Sequence, residues 1–217
     1  MTSIRRAGGG DAARRVITAA RRWQAVQPGI LVVAVDGHGA AGKSTIAAAV
    51  AYATGAALVR TDDFFQRPPA RPGGAPDGGA PDGGQALARY YDWRRIRAEA
   101  LEPLRGRRSA VFRRFDWPRG AGLGPCVTVE PSDLILLEGV FSAAPELSDL
   151  VDRSVLVDTP EQERLRRLHA RVSPDEWDAD WLAAEQAYFD MIRPRSSFGL
   201  IVPGTSSRPA DFKEGTS

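Results

Sequence analysis

The chain of 217 residues contains a single cysteine, Cys126. One thiol cannot close an internal disulfide, so the fold must rest on its core, and a reducing cytoplasm is the expected home. Lysine is nearly absent as well. Of 29 basic side chains only Lys43 and Lys213 are lysines, which makes their positions informative. No apolar run approaches the roughly 18 residues that mark a membrane-spanning helix. The charged opening stretch has no apolar segment behind it, so no signal peptide is expected. There is no excess of one charge either. A net +2 does not call for a nucleic-acid partner. What remains is a chain that is 43% hydrophobic and of one domain's length. A chain of that size can bury roughly 70% of its unfolded surface without a structural metal.

Buried strands alternate with helical segments along it. Residues 11–26 carry Ala13, Val16, Ile17, Ala20 and Trp23 at helical spacing, with Asp11 as a cap. Arg14, Arg15, Arg21 and Arg22 fall off that stripe and read as a solvated basic face. Ile30–Val35 is a continuous apolar run with β-branched residues, a strand covered on both faces. Lys43–Ala53 is helical, Ala57–Arg60 a short strand. Residues 67–85 break the pattern with a tandem Gly-Ala-Pro-Asp-Gly repeat. Such a segment cannot build a core and is expected to be a flexible loop. Trp93, Ile96, Ala100, Leu101 and Leu104 mark a further helix. Ala110–Phe115 and Cys126–Glu130 suggest a β-ribbon. Leu134–Leu137, Ser154–Val157 and Leu200–Val202 complete the strands. Thr159-Pro160-Glu161-Gln162 and Ser173-Pro174-Asp175-Glu176 have the form of capping boxes, the second opening a helix with Trp177, Trp181, Ala184, Tyr188 and Ile192 on one face. The expectation is a single α/β domain over 1–217: a five-stranded parallel sheet with helices on both faces, a small β-ribbon, a helical lid and a tail from 204.

Gly37-His38-Gly39-Ala40-Ala41-Gly42-Lys43-Ser44, followed by Thr45, fits the Walker A pattern between a strand and a helix. Glycines let the backbone approach an oxyanion closely, and N–H groups at a helix start then face the phosphates. Lys43 supplies a point charge, and Ser44 a hard oxygen suited to Mg²⁺. ATP and Mg²⁺ are the expected cofactors. A GTPase would need an Asn-Lys-x-Asp for its base, and there is none. The strand that would face the metal ends in Leu-Leu-Glu-Gly, with Glu138 where motor ATPases have aspartate. Thr61-Asp62-Asp63-Phe64-Phe65 follows a strand beside the Walker loop. A carboxylate there can take a proton from an acceptor hydroxyl. A turn or a cap is the plainer use of an Asp-Asp pair, and adjacent carboxylates point apart, so one of the two would serve. Arg164, Arg167 and Arg171 share a helical face, which can either close over phosphates or lie in solvent.

In their order, GHGAAGKST, TDDFF, YYDW at 90–93, FDW at 115–117, LLEGVFS at 136–142 and VDTPEQERLRR at 157–167 resemble the uridine kinase family of P-loop kinases. The resemblance spans about residues 29–203. It implies that Asp62 is the catalytic aspartate and that Asp92 grips a ribose diol. Phe115 and Asp116 lie on the substrate side, Glu138 lies near Mg²⁺, and Arg164, Arg167 and Arg171 belong to a lid. Tyr91, Trp93 and Trp117 are candidates to line the acceptor pocket, with a core role equally open to each. Phe65 stands where the family has tyrosine. Pyrimidine-specific members carry a histidine shortly after the aspartate that Asp116 matches to read the base, and the stretch here, Trp117-Pro118-Arg119-Gly120, has none. The resemblance thus implies a small-molecule hydroxyl as phosphate acceptor, with neither nucleic acid nor membrane as a partner.

Overall fold

The computed structural model describes residues 10–66, 89–170 and 179–204. The repeat at 67–85, Arg171, the second capping box with Trp177, and the tail beyond Gly204 lie outside them. Five parallel strands form the main sheet: β1 (Leu31–Asp36), β2 (Ala57–Arg60), β5 (Leu134–Glu138), β6 (Arg153–Asp158) and β7 (Leu200–Pro203), in the order β2-β5-β1-β6-β7. The antiparallel pair β3 (Ala110–Phe115) and β4 (Leu123–Val129) forms the expected ribbon.

Strand β1 shows why its sequence is apolar without alternation. Leu31, Val33 and Val35 face one layer, with Val16 and Ala20 of α1 (Gly10–Val26) and Ile46, Ala47 and Val50 of α2 (Lys43–Thr54). Val32 and Ala34 face the opposite layer, with Ile96, Leu101, Leu104, Phe112 and Phe141. A strand covered on both faces has no side for polar residues. Ile96, Leu101 and Leu104 belong to one continuous helix over 93–105, here α3, whose middle, Ile96–Leu101, is π-wound. That wide turn ends two residues before Pro103, which has no N–H for the helical ladder.

Two local expectations are corrected. Asp11 does not cap α1: Gly10 before it is already helical, and Asp11 pairs with Arg14 along the helix. Thr159 does not cap α4 (Glu161–His169) either. The cap position is Pro160, and the Thr159 hydroxyl donates instead to the carbonyl of Ala41 in the Walker loop, at 2.9 Å. A buried tertiary acceptor has won over the local one. The last helix, α5 (Ala179–Ala187), continues as a π turn over Tyr188–Ile192.

Register sets the site. Val35 and Arg60 both pair with Glu138, so β1, β2 and β5 end at one level, and the carboxyl ends of all five parallel strands share one edge. That edge is where open α/β sheets bind ligands.

Candidate active site

The Walker loop leaves β1 through Asp36. This acid is fully buried and accepts four hydrogen bonds: Gly37 N–H (2.7 Å) and Phe141 N–H (3.0 Å) on Oδ1, Ala143 N–H (2.9 Å) and the Tyr188 hydroxyl (2.7 Å) on Oδ2. Burial pushes its carboxyl up, against the pull of those donors and of Lys43. Asp36 thereby ties the start of the loop to the segment after β5 and to the end of α5. The sequence treats it as the end of a strand and gives no hint of this.

Gly37 has φ +146°, and a Cβ there would meet the Val157 carbonyl oxygen at 2.5 Å. Only glycine fits so tight a turn. Ala40, at φ 58°, is also left-handed, a conformation that costs a residue with a Cβ about 1–2 kcal/mol. Lys43 is buried, and its ammonium donates to the carbonyls of Gly37 (2.8 Å) and His38 (2.9 Å), arching back over the loop. The Ser44 hydroxyl donates to Glu138 Oε1 at 2.9 Å. Burial pushes the Glu138 carboxyl up; Lys43 opposes the rise, the charge of Asp62 adds to it, and Ser44 and Arg60 pull it down. Arg60 lies 3.9 Å from Glu138 Oε2.

Ser44 and Glu138 are thus two hard oxygens in contact at the base of the loop. Among the described residues no group of three or more His, Cys, Asp or Glu could hold a metal alone. A pair such as Ser44 and Glu138 has the donor chemistry of a site that holds Mg²⁺ by one or two protein oxygens together with phosphates.

The aspartate pair divides as two adjacent carboxylates must. Both lie in a 3₁₀ turn, Thr61–Phe64, directly after β2. Asp63 turns inward and pairs with Arg114 at 3.4 Å, its carboxyl pushed up by burial against Arg114 and Arg60. Asp62 stays exposed and accepts the Tyr91 hydroxyl at 3.0 Å. Beside it Gly139, with φ +148°, leaves room for Thr61, whose hydroxyl oxygen would lie 1.8 Å from a Cβ at that position.

An aromatic wall rises next to Asp62. Phe65 lies 5.1 Å from Phe115 and 4.9 Å from Trp117, centroid to centroid, and Phe141 lies 5.2 Å from Trp181. Trp117 is 53% exposed, with its indole N–H on the Asp62 carbonyl at 3.2 Å, so its ring is available to a ligand. Trp93 by contrast is core. Tyr91 is buried but keeps its hydroxyl on Asp62. Asp92 caps α3, its Oδ1 accepting Arg95 N–H at 3.1 Å. Asp116 accepts Arg119 N–H at 3.3 Å and pairs with the same arginine's side chain.

The arginine stripe also divides. Arg166 is exposed and pairs with Glu163. Arg167 bridges Glu163, the Ala40 carbonyl (3.2 Å) and the Gly204 carbonyl (3.3 Å), touching the Walker loop itself. Arg164 is buried, 3.6 Å from Glu185 of α5. Glu185 in turn accepts Gly39 N–H at 3.1 Å and meets His38 Nδ1 at 2.7 Å. Burial alone would raise its carboxyl; His38, Lys43 and the Gly39 N–H outweigh that and hold it below its ordinary value. Neither Glu185 nor Asp36 is legible as a site residue in the sequence, since most of their partners, Gly39 and His38 for the one and Phe141, Ala143 and Tyr188 for the other, lie more than a hundred residues away.

No protein-family model matches the chain. It is 26% identical over 143 residues to a uridine kinase of Halobacterium salinarum, a match that takes in 62% of this chain and 59% of that relative's length. A possible uridine kinase from Bacillus stearothermophilus shares the fold with a TM-score of 0.60 at 19% identity, over 87% of this chain and 97% of the other. A "putative fructose transport system kinase" from Silicibacter sp. TM1040 superposes with a TM-score of 0.58 at 20% identity, over 88% and 98%. The chain is thus similar in sequence to a uridine kinase and has a uridine kinase-like P-loop fold, as its motifs led one to expect.

Proposed function

We propose that the protein transfers the γ-phosphoryl group of ATP, with Mg²⁺, to a hydroxyl of a small molecule of about nucleoside size. The observation that carries this is the meeting of Lys43, Ser44 and Glu138 with the exposed Asp62 at one sheet edge, beside an aromatic wall. Asp62 takes the proton of the acceptor hydroxyl. The acceptor oxygen forms a bond to the γ-phosphorus as the bond from that phosphorus to the departing ADP oxygen breaks. Tyr91 holds Asp62 in place. Lys43 exchanges its loop carbonyls for phosphate oxygens, and Arg164, Arg167 and Arg171 neutralise charge from the lid. Mg²⁺, held by Ser44 and Glu138 together with the phosphates, would offset the charge that develops on the leaving group.

A second acceptor class has two observations in its favour. The diol-gripping role of Asp92 competes with its capping of Arg95, and the stretch shortly after Asp116 has no histidine to read a base. Another small alcohol, such as a sugar, would need neither. An ADP-release assay with Mg²⁺, run over ribonucleosides, their 2′-deoxy forms and small alcohols, tests both. Ribonucleoside-dependent ADP with a phosphorylated product is the expected result. Phosphorylation of another alcohol alone would move the enzyme to the second class. ADP release indifferent to every acceptor would overturn kinase chemistry and leave a nucleotide-hydrolysing regulator.

A further inference from the structure

We propose that Glu185 competes with phosphate for the Walker loop, so that nucleotide binds by displacing this carboxylate. The inference rests on the nucleotide-binding role of that loop. Three groups that such a role assigns to phosphates, Gly39 N–H, Arg164 and Lys43, also serve Glu185, together with the His38 ring of the same loop. Gly39 N–H donates to Oε2 at 3.1 Å. His38 Nδ1 lies 2.7 Å and the Arg164 guanidinium 3.6 Å from Oε1. The charge of Lys43 acts on the same carboxylate. Glu185 is 3% exposed, so its charge depends on these partners. It also presses close: a Cβ on Gly39 would lie 3.3 Å from its Oε2.

A carboxylate and a phosphate oxygen make the same demand, acceptance from N–H and proximity to cations. One backbone N–H serves one strong acceptor at a time. Helix α5 therefore places an internal anion where the loop is built to take an external one. Phe189, four residues after Glu185, packs its ring on His38 with centroids 4.1 Å apart. Helix α5 thus holds His38 by a charge and a ring together. Withdrawal of the carboxylate frees Gly39, His38 and Arg164 in one movement. Trp181, four residues before Glu185 on the same helix, packs on Phe141 and reports that movement.

The test is calorimetric titration of Mg²⁺-ATP into the full chain and into Glu185→Gln and Glu185→Asp, each first checked for a native circular dichroism spectrum. Glutamine removes the charge. Aspartate keeps it but is one methylene too short to reach Gly39 N–H. Competition predicts roughly tenfold tighter binding by both variants, the scale of one charge-assisted hydrogen bond. Tightening by glutamine alone would reveal a general charge effect and overturn the proposal, as would unchanged or weaker binding in both. If neither the parent nor a variant binds ATP, the nucleotide reading itself falls, and this inference with it. Should the variants fail to fold, the parent still decides. ATP should change the emission assigned to Trp181 by difference from Trp181→Phe, and bound ATP without that change would overturn displacement.

Discussion

Replacing Asp36 by alanine should be among the most damaging single changes outside the reacting groups. The substitution leaves Gly37 N–H, Phe141 N–H, Ala143 N–H and the Tyr188 hydroxyl without their acceptor. A buried polar group left unpaired costs about 1–3 kcal/mol. Four of them set an upper range near 4–12 kcal/mol. Part of that is offset because the variant no longer buries a carboxylate, whose desolvation costs several kcal/mol. After that offset a net loss of about 3–5 kcal/mol is expected, in the lower part of the range. For a chain of this size that lowers the melting temperature by roughly 6–20 °C. Asparagine separates hydrogen bonding from charge. Its amide oxygen can keep Gly37 and Phe141, and the Tyr188 hydroxyl can turn to accept from its NH₂, so only Ala143 N–H is left facing a donor. Asp36→Asn should therefore cost about 1–3 kcal/mol, clearly less than alanine. Urea denaturation of the parent and both variants, followed by two spectroscopic probes, gives the numbers. An alanine variant within about 1 kcal/mol of the parent would show that water satisfies the four donors and that Asp36 is no clamp. Asparagine as costly as alanine would show that the charge matters more than the acceptor count.

Three further outcomes follow from the same geometry. Lys43→Ala should lose most ATP turnover while melting within about 1–2 kcal/mol of the parent, since it removes two hydrogen bonds to loop carbonyls at a ligand site; near-normal turnover in a folded variant would refute its phosphate role. Asp62→Asn should lower kcat by about 10²–10⁴ with little change in ATP affinity, whereas Asp63→Asn should be read mainly in stability through its lost pairing with Arg114; the reverse order would reassign the base. Burial holds Glu138 above its ordinary 4.5, so on acidification its carboxylate is lost earlier than that of an exposed glutamate, and the acid limb of kcat/KM should lie above that value. Arg60 pulls the same group down, so Arg60→Met should move the limb to higher pH; a limb that stays in place would show that Glu138 does not carry the metal-side charge.

What the sequence reveals here, it reveals locally. The run at 31–36, the glycines of the Walker loop and the strand at 134–138 declare themselves because burial on two faces and tight turns demand particular residue types at adjacent positions. Register then does the rest: once β1 and β2 flank β5, Lys43, Ser44, Asp62 and Glu138 have to meet at one edge. What stays hidden depends on distance along the chain. Thr159-Pro160-Glu161-Gln162 has the form of a capping box, yet its hydroxyl bonds to Ala41, 118 residues away. A local pattern reads only the local competitor. The choice between Asp62 and Asp63 has the same character. It depends on Arg114, on the far ribbon, drawing one carboxylate inward, and no spacing within TDDFF encodes that pull.

Three acids meet the Walker loop or its entry, and they divide its work in a way that their sequence positions conceal. Asp36 accepts only donors that belong to the fold, three backbone N–H groups and a buried phenol, so it fixes where the loop begins. Glu138 faces the loop through Ser44, with Lys43 and Arg60 as its nearby cations, and is poised to share charge with a ligand. Glu185 takes a backbone N–H of the loop itself and Arg164, which are groups that a phosphate would claim, together with His38. The first can be held permanently, because nothing it binds is needed by substrate. The second is needed in place when nucleotide arrives. The third cannot keep its partners if a phosphate takes them. Each acid sits on a different element, β1, β5 and α5. Helix α5 is tied to the site by Tyr188 on Asp36 and Phe189 on His38, the two adjacent residues at which the helix widens into its π turn. The wide turn sets both side chains toward the loop at once, so the helix that carries Glu185 is anchored one turn beyond it.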